Sequence, residues 1–204
     1  MKYNCFFLFL LAIVVLPGAA LAGDYEVTPI LGYVVGGDFE DTDTGHTLDL
    51  DESENYGVIL GFRDKSKPGA FYEFLYSRQS TYLKGDGIAF TGASRFDVDI
   101  DYFHLGGRYG TEGETINPYV AAGIGATHFS PEQGDSETKF SFSLGGGALV
   151  PINEHLSLRF EGRGFGTVFD NDSEIFCVNN QCAVRFEGDV LWQVSAFTGL
   201  VFSF

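Results

Sequence analysis

The sequence predicts an all-β protein: an eight-stranded antiparallel up-and-down transmembrane β-barrel. Three observations carry that expectation. Apolar and polar residues alternate with the period of two that marks strands, and no stretch beyond residue 22 holds a helical period for long. The alternating segments run well over ten residues. That exceeds the roughly 5–6 of soluble strands and suffices for a tilted membrane strand of about 9–11. The connections alternate between compact and long, so a meander would carry short turns at one end and long loops at the other.

Composition narrows the class further. A 45% hydrophobic share excludes a disordered chain, and 27 Gly, 21 Phe and 10 Tyr beside a single Met favour sheet over helix. With 12 Lys+Arg against 28 Asp+Glu, a phosphate backbone would be repelled, so no nucleic-acid partner is expected.

Residues 1–22 read as a signal peptide for the Sec route. Lys2 supplies the positive start, residues 5–16 are apolar, Pro17-Gly18 breaks the run, and Ala20-Leu21-Ala22 offers a cleavage site before Gly23. The apolar run is shorter than the ~20 residues of a spanning helix. Cys5 lies too far from the small residues to be a lipidation site. Cleavage leaves residues 23–204 as the barrel domain. It removes Lys2 and no acid, taking the net charge from −16 to −17. It also leaves one even pair, Cys177 and Cys182, which in an exported chain predicts a disulfide closing a short loop. No His lies near enough to make a metal site of them.

The strands follow in order. The first spans 25–37. In the second, 54–64, Tyr56, Val58, Leu60 and Phe62 alternate with Asn55, Gly57 and Gly61. The third spans 70–84. In the fourth, 94–110, Phe96, Val98, Ile100 and Tyr102 alternate with Asp97, Asp99 and Asp101, and the apolar phase changes near Asp101 to Phe103. The fifth spans 117–129. In the sixth, 138–151, Phe140, Phe142 and Leu144 alternate with Ser141, Ser143, Gly145 and Gly147. In the seventh, 155–169, Leu156, Leu158 and Phe160 alternate with Arg159, Glu161 and Arg163. In the eighth, 185–204, Val190, Trp192, Val194, Ala196, Leu200, Phe202 and Phe204 alternate with Gln193, Ser195 and Ser203. Segments 64–69, 111–116 and 152–154 are the compact turns; 38–53, 85–93, 130–137 and 170–184 are the long connections.

Alternation alone does not say which face is which, and a soluble sandwich or lipocalin-like barrel would turn its apolar face inward. The small polar face of the sixth strand fits a narrow lumen, with the bulky face against lipid. In lipid every backbone N–H and C=O must be paired, so the sheet has to close, and eight strands are the smallest such closure.

The chain ends Leu200-Val201-Phe202-Ser203-Phe204. This resembles the assembly signal of Gram-negative outer-membrane barrels, which implies that Phe202 and Phe204 engage the barrel assembly machinery. Asn117-Pro118-Tyr119-Val120-Ala121-Ala122-Gly123-Ile124-Gly125 resembles a strand of the OmpA-type small-barrel family. So does Leu144-Gly145-Gly146-Gly147-Ala148 leading to Ile152-Asn153-Glu154-His155-Leu156-Ser157-Leu158. The resemblance implies a barrel domain in the bacterial outer membrane, with outer-membrane lipid and lipopolysaccharide as neighbours. No periplasmic domain is expected.

If the apolar faces meet lipid, Glu73, Arg108, Arg159, Glu161 and Arg163 point into the lumen. Charges there must be paired or hydrated, so a packed charge network that plugs the barrel is expected. Trp192, Phe202, Phe204, Tyr119 and Tyr33 are expected in the interfacial aromatic girdles. Asp38, Glu40, Asp41, Asp43, Asp49, Asp51, Glu52 and Glu54 make the first long connection strongly acidic, and Asp170, Asp172 and Glu174 open the last. Such a rim invites divalent cations that bridge to lipopolysaccharide. Asp41-Thr42-Asp43-Thr44-Gly45 has part of a calcium loop but lacks its third acidic position and distant Glu. His128-Phe129-Ser130 resembles the His-x-Ser of the outer-membrane lipid A deacylase family, which implies a Ser nucleophile activated by His. It departs from that pattern in Pro131, where the family has Asn, and in having three strands still to come. His46, His104 and His155 form no ligand spacing, and no cofactor motif appears. The expected function is non-enzymatic, structural or surface-interacting. The alternatives are a channel for small solutes or hydrophobic molecules, and a lipid A-modifying esterase using His128 and Ser130.

Overall fold

The computed structural model describes residues 24–40, 47–84, 95–132, 135–169, 173–178, 181–186 and 190–204. Their strands are β1 (Tyr25–Val35), β2 (Asp38–Glu40), β3 (Thr47–Leu50), β4 (Ser53–Arg63), β5 (Ala70–Lys84), β6 (Arg95–Gly110), β7 (Asn117–Pro131), β8 (Glu137–Asn153), β9 (Leu156–Val168), β10 (Ser173–Val178), β11 (Gln181–Phe186) and β12 (Val190–Ser203). Eight of them, β1, β4, β5, β6, β7, β8, β9 and β12, form a closed ring in which every neighbour is antiparallel. Closure comes from β12 returning to β1, with Val27 opposite Phe202 and Leu31 opposite Thr198. The last residue completes the seam. Phe204 N donates to Tyr25 O at 2.9 Å, and Asp24 N donates to Phe204 O at 3.0 Å.

Period-two alternation divides the wall. On β8, Ser143 is 3% exposed and its neighbour Leu144 is 69% exposed. The register stacks outward residues into rows. Phe74, Leu105, Ile124 and Phe142 lie side by side across β5 to β8, and Tyr76, Phe103, Ala126 and Phe140 form the row above. One step further towards the long connections the row reads Arg78, Asp101, His128 and Thr138. The apolar belt therefore ends within two residues. Exposed rings mark both borders: Tyr33, Tyr56, Phe103, Phe140 and Trp192 towards the long connections, and Tyr25, Phe62, Tyr72, Tyr109 and Phe204 towards the short turns. This is the two-girdle arrangement of a membrane-spanning barrel.

The upper part of β6 corrects the expectation that each strand turns its apolar face outward. Val98, Ile100 and Tyr102 are buried inside, whereas Asp97 is exposed outside and Asp99 and Asp101 bind Arg78 there. The backbone keeps one phase from Val98 to Arg108; only the hydropathy inverts. Above the aromatic row the wall stands in water, so its outer face is polar and its inner face apolar.

Long connections also hold more structure than expected. Segment 38–53 contains β2 and β3, and β3 extends the sheet by pairing Leu50 with Leu83 of β5. Gly36 and Gly37, with φ of 85° and 114°, turn the chain there through a region that favours glycine. Leu50 N donates to Gly37 O at 3.2 Å, and the Leu50 side chain is buried in the apolar cluster at the barrel mouth. Segment 170–184 carries most of the β10–β11 hairpin, and the last barrel strand starts at Val190 rather than at 185. The Asp41 to Gly45 motif lies outside the described residues.

Leu144→Arg puts a charge near the middle of the apolar belt. It should destabilise the barrel by about 2–4 kcal/mol in urea titrations from lipid vesicles, with Leu144→Ala well below that.

Candidate functional site

The lumen is built in layers by residues that alternate inward on successive strands. Nearest the short turns is a charged layer of Glu26 (β1), Glu73 (β5), Arg108 (β6), and Arg159, Glu161 and Arg163 (β9), all buried. Arg108 donates Nη1 and Nη2 to the two Glu26 oxygens at 2.7 and 2.9 Å. It also reaches Glu73 Oε1 at 3.2 Å. Arg159 forms a second fork on Glu73, at 2.7 and 3.1 Å, and donates Nε to Glu161 Oε2 at 2.9 Å. Arg163 Nε donates to Glu161 Oε1 at 2.5 Å, and its Nη2 stands 3.7 Å from Glu73 Oε2. The three guanidinium groups thus meet three carboxylates in one connected set that crosses the lumen from β1 to β9. Fork geometry of this kind gives strong charge-assisted bonds and fixes both partners. The Phe71 ring stacks under Arg108, 4.0 Å from ring centre to guanidinium carbon.

Tyr119 belongs to this layer, which corrects its expected place in the girdle. It is 7% exposed, and its hydroxyl donates to Glu161 Oε2 at 2.7 Å. The inward phase of β7 aims it at the lumen, and Gly147 on β8 leaves room for its ring: a Cβ there would lie 2.6 Å from the Tyr119 oxygen. Phe202 is half-buried and Phe204 exposed at the closing seam; Tyr33 and Trp192 face outward.

Neutral polar groups fill the middle of the lumen. His104 contacts Ser143 through Nδ1 and Ser141 through Nε2, each at 2.8 Å. Asn55 donates to Ser77 at 2.9 Å and Ser195 at 3.1 Å. Gln193 donates to Gln79 at 3.1 Å and accepts from the Tyr102 hydroxyl. Above them Leu50, Val98, Ile100, Phe129, Phe169 and Leu191 close the mouth with an apolar cluster. Tyr102 stacks on Phe165 at its base, with ring centres 4.3 Å apart.

Glu73, Arg108, Arg159, Glu161 and Arg163 are therefore brought together. Glu26 is the member that sequence reasoning missed. Its signal was available, because it sits between Tyr25 and Val27 on the face opposite the apolar wall. His128 and Ser130 both lie on the outer face of β7 near the aromatic border. The His128 Nδ1 meets Thr138 Oγ1 at 2.8 Å rather than Ser130, and the register sets His128 beside Asp101 and Ser130 beside Asp99. Cys177 and Cys182 stand opposite each other in the β10–β11 hairpin, whose side chains lie outside the described residues. Among the described residues no three His, Cys, Asp or Glu converge as metal ligands, and no helix is long and apolar enough to cross a membrane.

Removing one partner of the charged layer leaves a buried charge uncompensated. Glu73→Gln should destabilise the barrel by about 3–5 kcal/mol in urea titrations. Asp99→Asn, which breaks the half-exposed pair with Arg78 on the outer face, should lower stability by no more than about 1 kcal/mol.

Comparison with known proteins agrees with this architecture. The family described as "Outer membrane protein beta-barrel domain" matches residues 8–182. Among solved structures, Neisserial surface protein A (NspA) superposes with a TM-score of 0.61 at 12% identity, covering 88% of this chain and 97% of that one. The outer membrane protein OprG from Pseudomonas aeruginosa superposes with a TM-score of 0.61 at 14% identity, covering 89% and 96%. At such identities the likeness is one of fold. No curated protein matches the sequence significantly. A sheet closed by eight antiparallel strands, an apolar belt between two aromatic girdles and a match over most of the chain lead to one assignment: the chain belongs to the outer-membrane β-barrel family.

Proposed function

We propose that this bacterial outer-membrane barrel is a non-conducting, non-enzymatic protein that acts through its membrane-anchored surface, as a structural or surface-interacting element. The observation that carries the reading is the charged layer. Arg108 and Arg159 fork onto Glu26 and Glu73 across the lumen, and an apolar cluster lies above them. An ion crossing the barrel would have to break several buried forks and then pass an apolar cap, both steps costly in a low-dielectric interior. A lumen plugged in this way would leave the long connections and the outer wall as the surfaces available for interaction. Planar-bilayer recordings of the refolded protein test the reading. Steady conductance steps would overturn it, and a silent bilayer containing verified folded protein is expected.

The acidic first connection supports a role in which divalent cations bridge the rim to lipopolysaccharide, because dense carboxylates repel one another unless screened. The hairpin register supports a disulfide between Cys177 and Cys182, since directly opposed positions in an antiparallel pair bring the two Cβ atoms close. In protein secreted through the Sec route and cleaved after Ala22, both thiols should resist alkylation until a reductant is added. Labelling of either thiol in the untreated protein would count against the disulfide.

A further inference from the structure

Outside the barrel, at the short-turn end of β5 and β6, lies a groove of about 650 Å³. That volume falls within the roughly 300–1,000 Å³ of small-molecule sites. Its wall and floor include Ala70, Tyr72, Gly107 and Tyr109, and its rim is the turn carrying Asp64 and Lys67. The register sets Tyr72 opposite Gly107 and Ala70 opposite Tyr109. Two large rings thus stand on the diagonal, with small residues on the other diagonal opening a trough between them. Both rings are 62% exposed.

The rim is electrostatically uneven. Asp64 is already satisfied: Oδ1 accepts from the Ser66 hydroxyl at 2.6 Å and the Ser66 amide at 2.8 Å, and Oδ2 accepts from the Tyr72 hydroxyl at 3.3 Å. The Ser66 hydroxyl and amide hold the Asp64 carboxyl below its usual range. Lys65 is paired with Asp24 at 2.6 Å, outside the groove. The Lys67 ammonium makes no ion-pair contact or hydrogen bond among the described residues and acts on the Asp64 carboxylate only through space. The groove therefore offers the Lys67 ammonium, beside a carboxylate already bonded within its own turn, and apolar and aromatic surface where it runs into the belt.

We propose that this groove binds a glycerophospholipid of the periplasmic leaflet, its phosphate diester at Lys67 and its glycerol and upper acyl chain between Tyr72 and Tyr109. The Lys67 ammonium, whose carboxylate neighbour is already bonded to Ser66 and Tyr72, and the apolar trough suit an occupant that is anionic at one end and apolar at the other. Short turns in this family face the periplasm, which places the groove at the inner leaflet rather than at the lipopolysaccharide leaflet. Tyrosine rings at headgroup depth suit the junction between the two halves of such a molecule. The site rests on the family and its orientation, and is independent of whether the lumen conducts.

Native mass spectrometry of the mature barrel in detergent, titrated with phosphatidylglycerol, tests the site. One adduct should be retained distinctly more tightly than those that follow. Lys67→Ser should weaken that first adduct about tenfold, and Ala70→Phe, which fills the trough from outside, should weaken it at least as much. Lys65→Ser should leave it unchanged. Heat-modifiable migration on a gel shows whether Ala70→Phe has folded; Lys67→Ser changes only an exposed turn residue and decides the matter if it has not. A uniform ladder of adducts with no distinguished first lipid overturns the site. So does an undiminished first adduct in Lys67→Ser, or equal weakening in Lys65→Ser.

Discussion

Lipid offers no hydrogen-bond partner to a strand edge, and this constraint organises the whole molecule. A sheet in that solvent must close on itself, so the first and last strands have to find each other across the full length of the chain. They do so through β12 and β1, down to the carbonyl and amide of Phe204, which pair with the backbone of Asp24 and Tyr25. Once eight strands close, the interior is only wide enough for side chains. Half of every strand then points into a space with little room for water, and what stands there must satisfy itself.

The layered lumen is the response. Three arginines and three glutamates from β1, β5, β6 and β9 neutralise one another near the short turns, with the Tyr119 hydroxyl as a further donor. Serines, His104, Asn55 and paired glutamines hydrogen-bond one another in the middle. Near the mouth the wall has left the bilayer, and the ordinary logic of a soluble protein returns, with Ile100 and Phe129 inside and Asp97 and Asp99 outside. One backbone phase on β6 serves both regimes because the solvent beyond the wall changes from lipid to water along its length.

Much of this was legible in the chain. The eight barrel strands fall where period-two alternation put them, most within two residues, because a strand with one face in lipid and one in a narrow lumen is under opposite demands at every second position. The charged lumen residues could be found by the same parity. Tyr119 could not: a tyrosine is as acceptable in a girdle as in a polar core, and only the inward aim of β7 and the space left by Gly147 decide between them. The fourth strand was ambiguous for a related reason, since alternation of Asp with Val or Ile reads the same whichever side the water is on. The small strands β2, β3, β10 and β11 sit in acidic, turn-rich segments whose composition resembles open loop.

The sequence by itself determined the class of fold, the number of barrel strands, the sites of the short turns, and most of the charged residues that alternation sends inward. These are local properties, set by the period of the strand and the length of each connection. Tertiary structure alone decided which charges meet, because Arg108 reaches Glu26 and Arg159 reaches Glu73 only once closure brings distant strands to opposite sides of one narrow lumen. It also decided where the apolar belt stops, because that border is a row of residues aligned by register across four strands, and no single strand contains it.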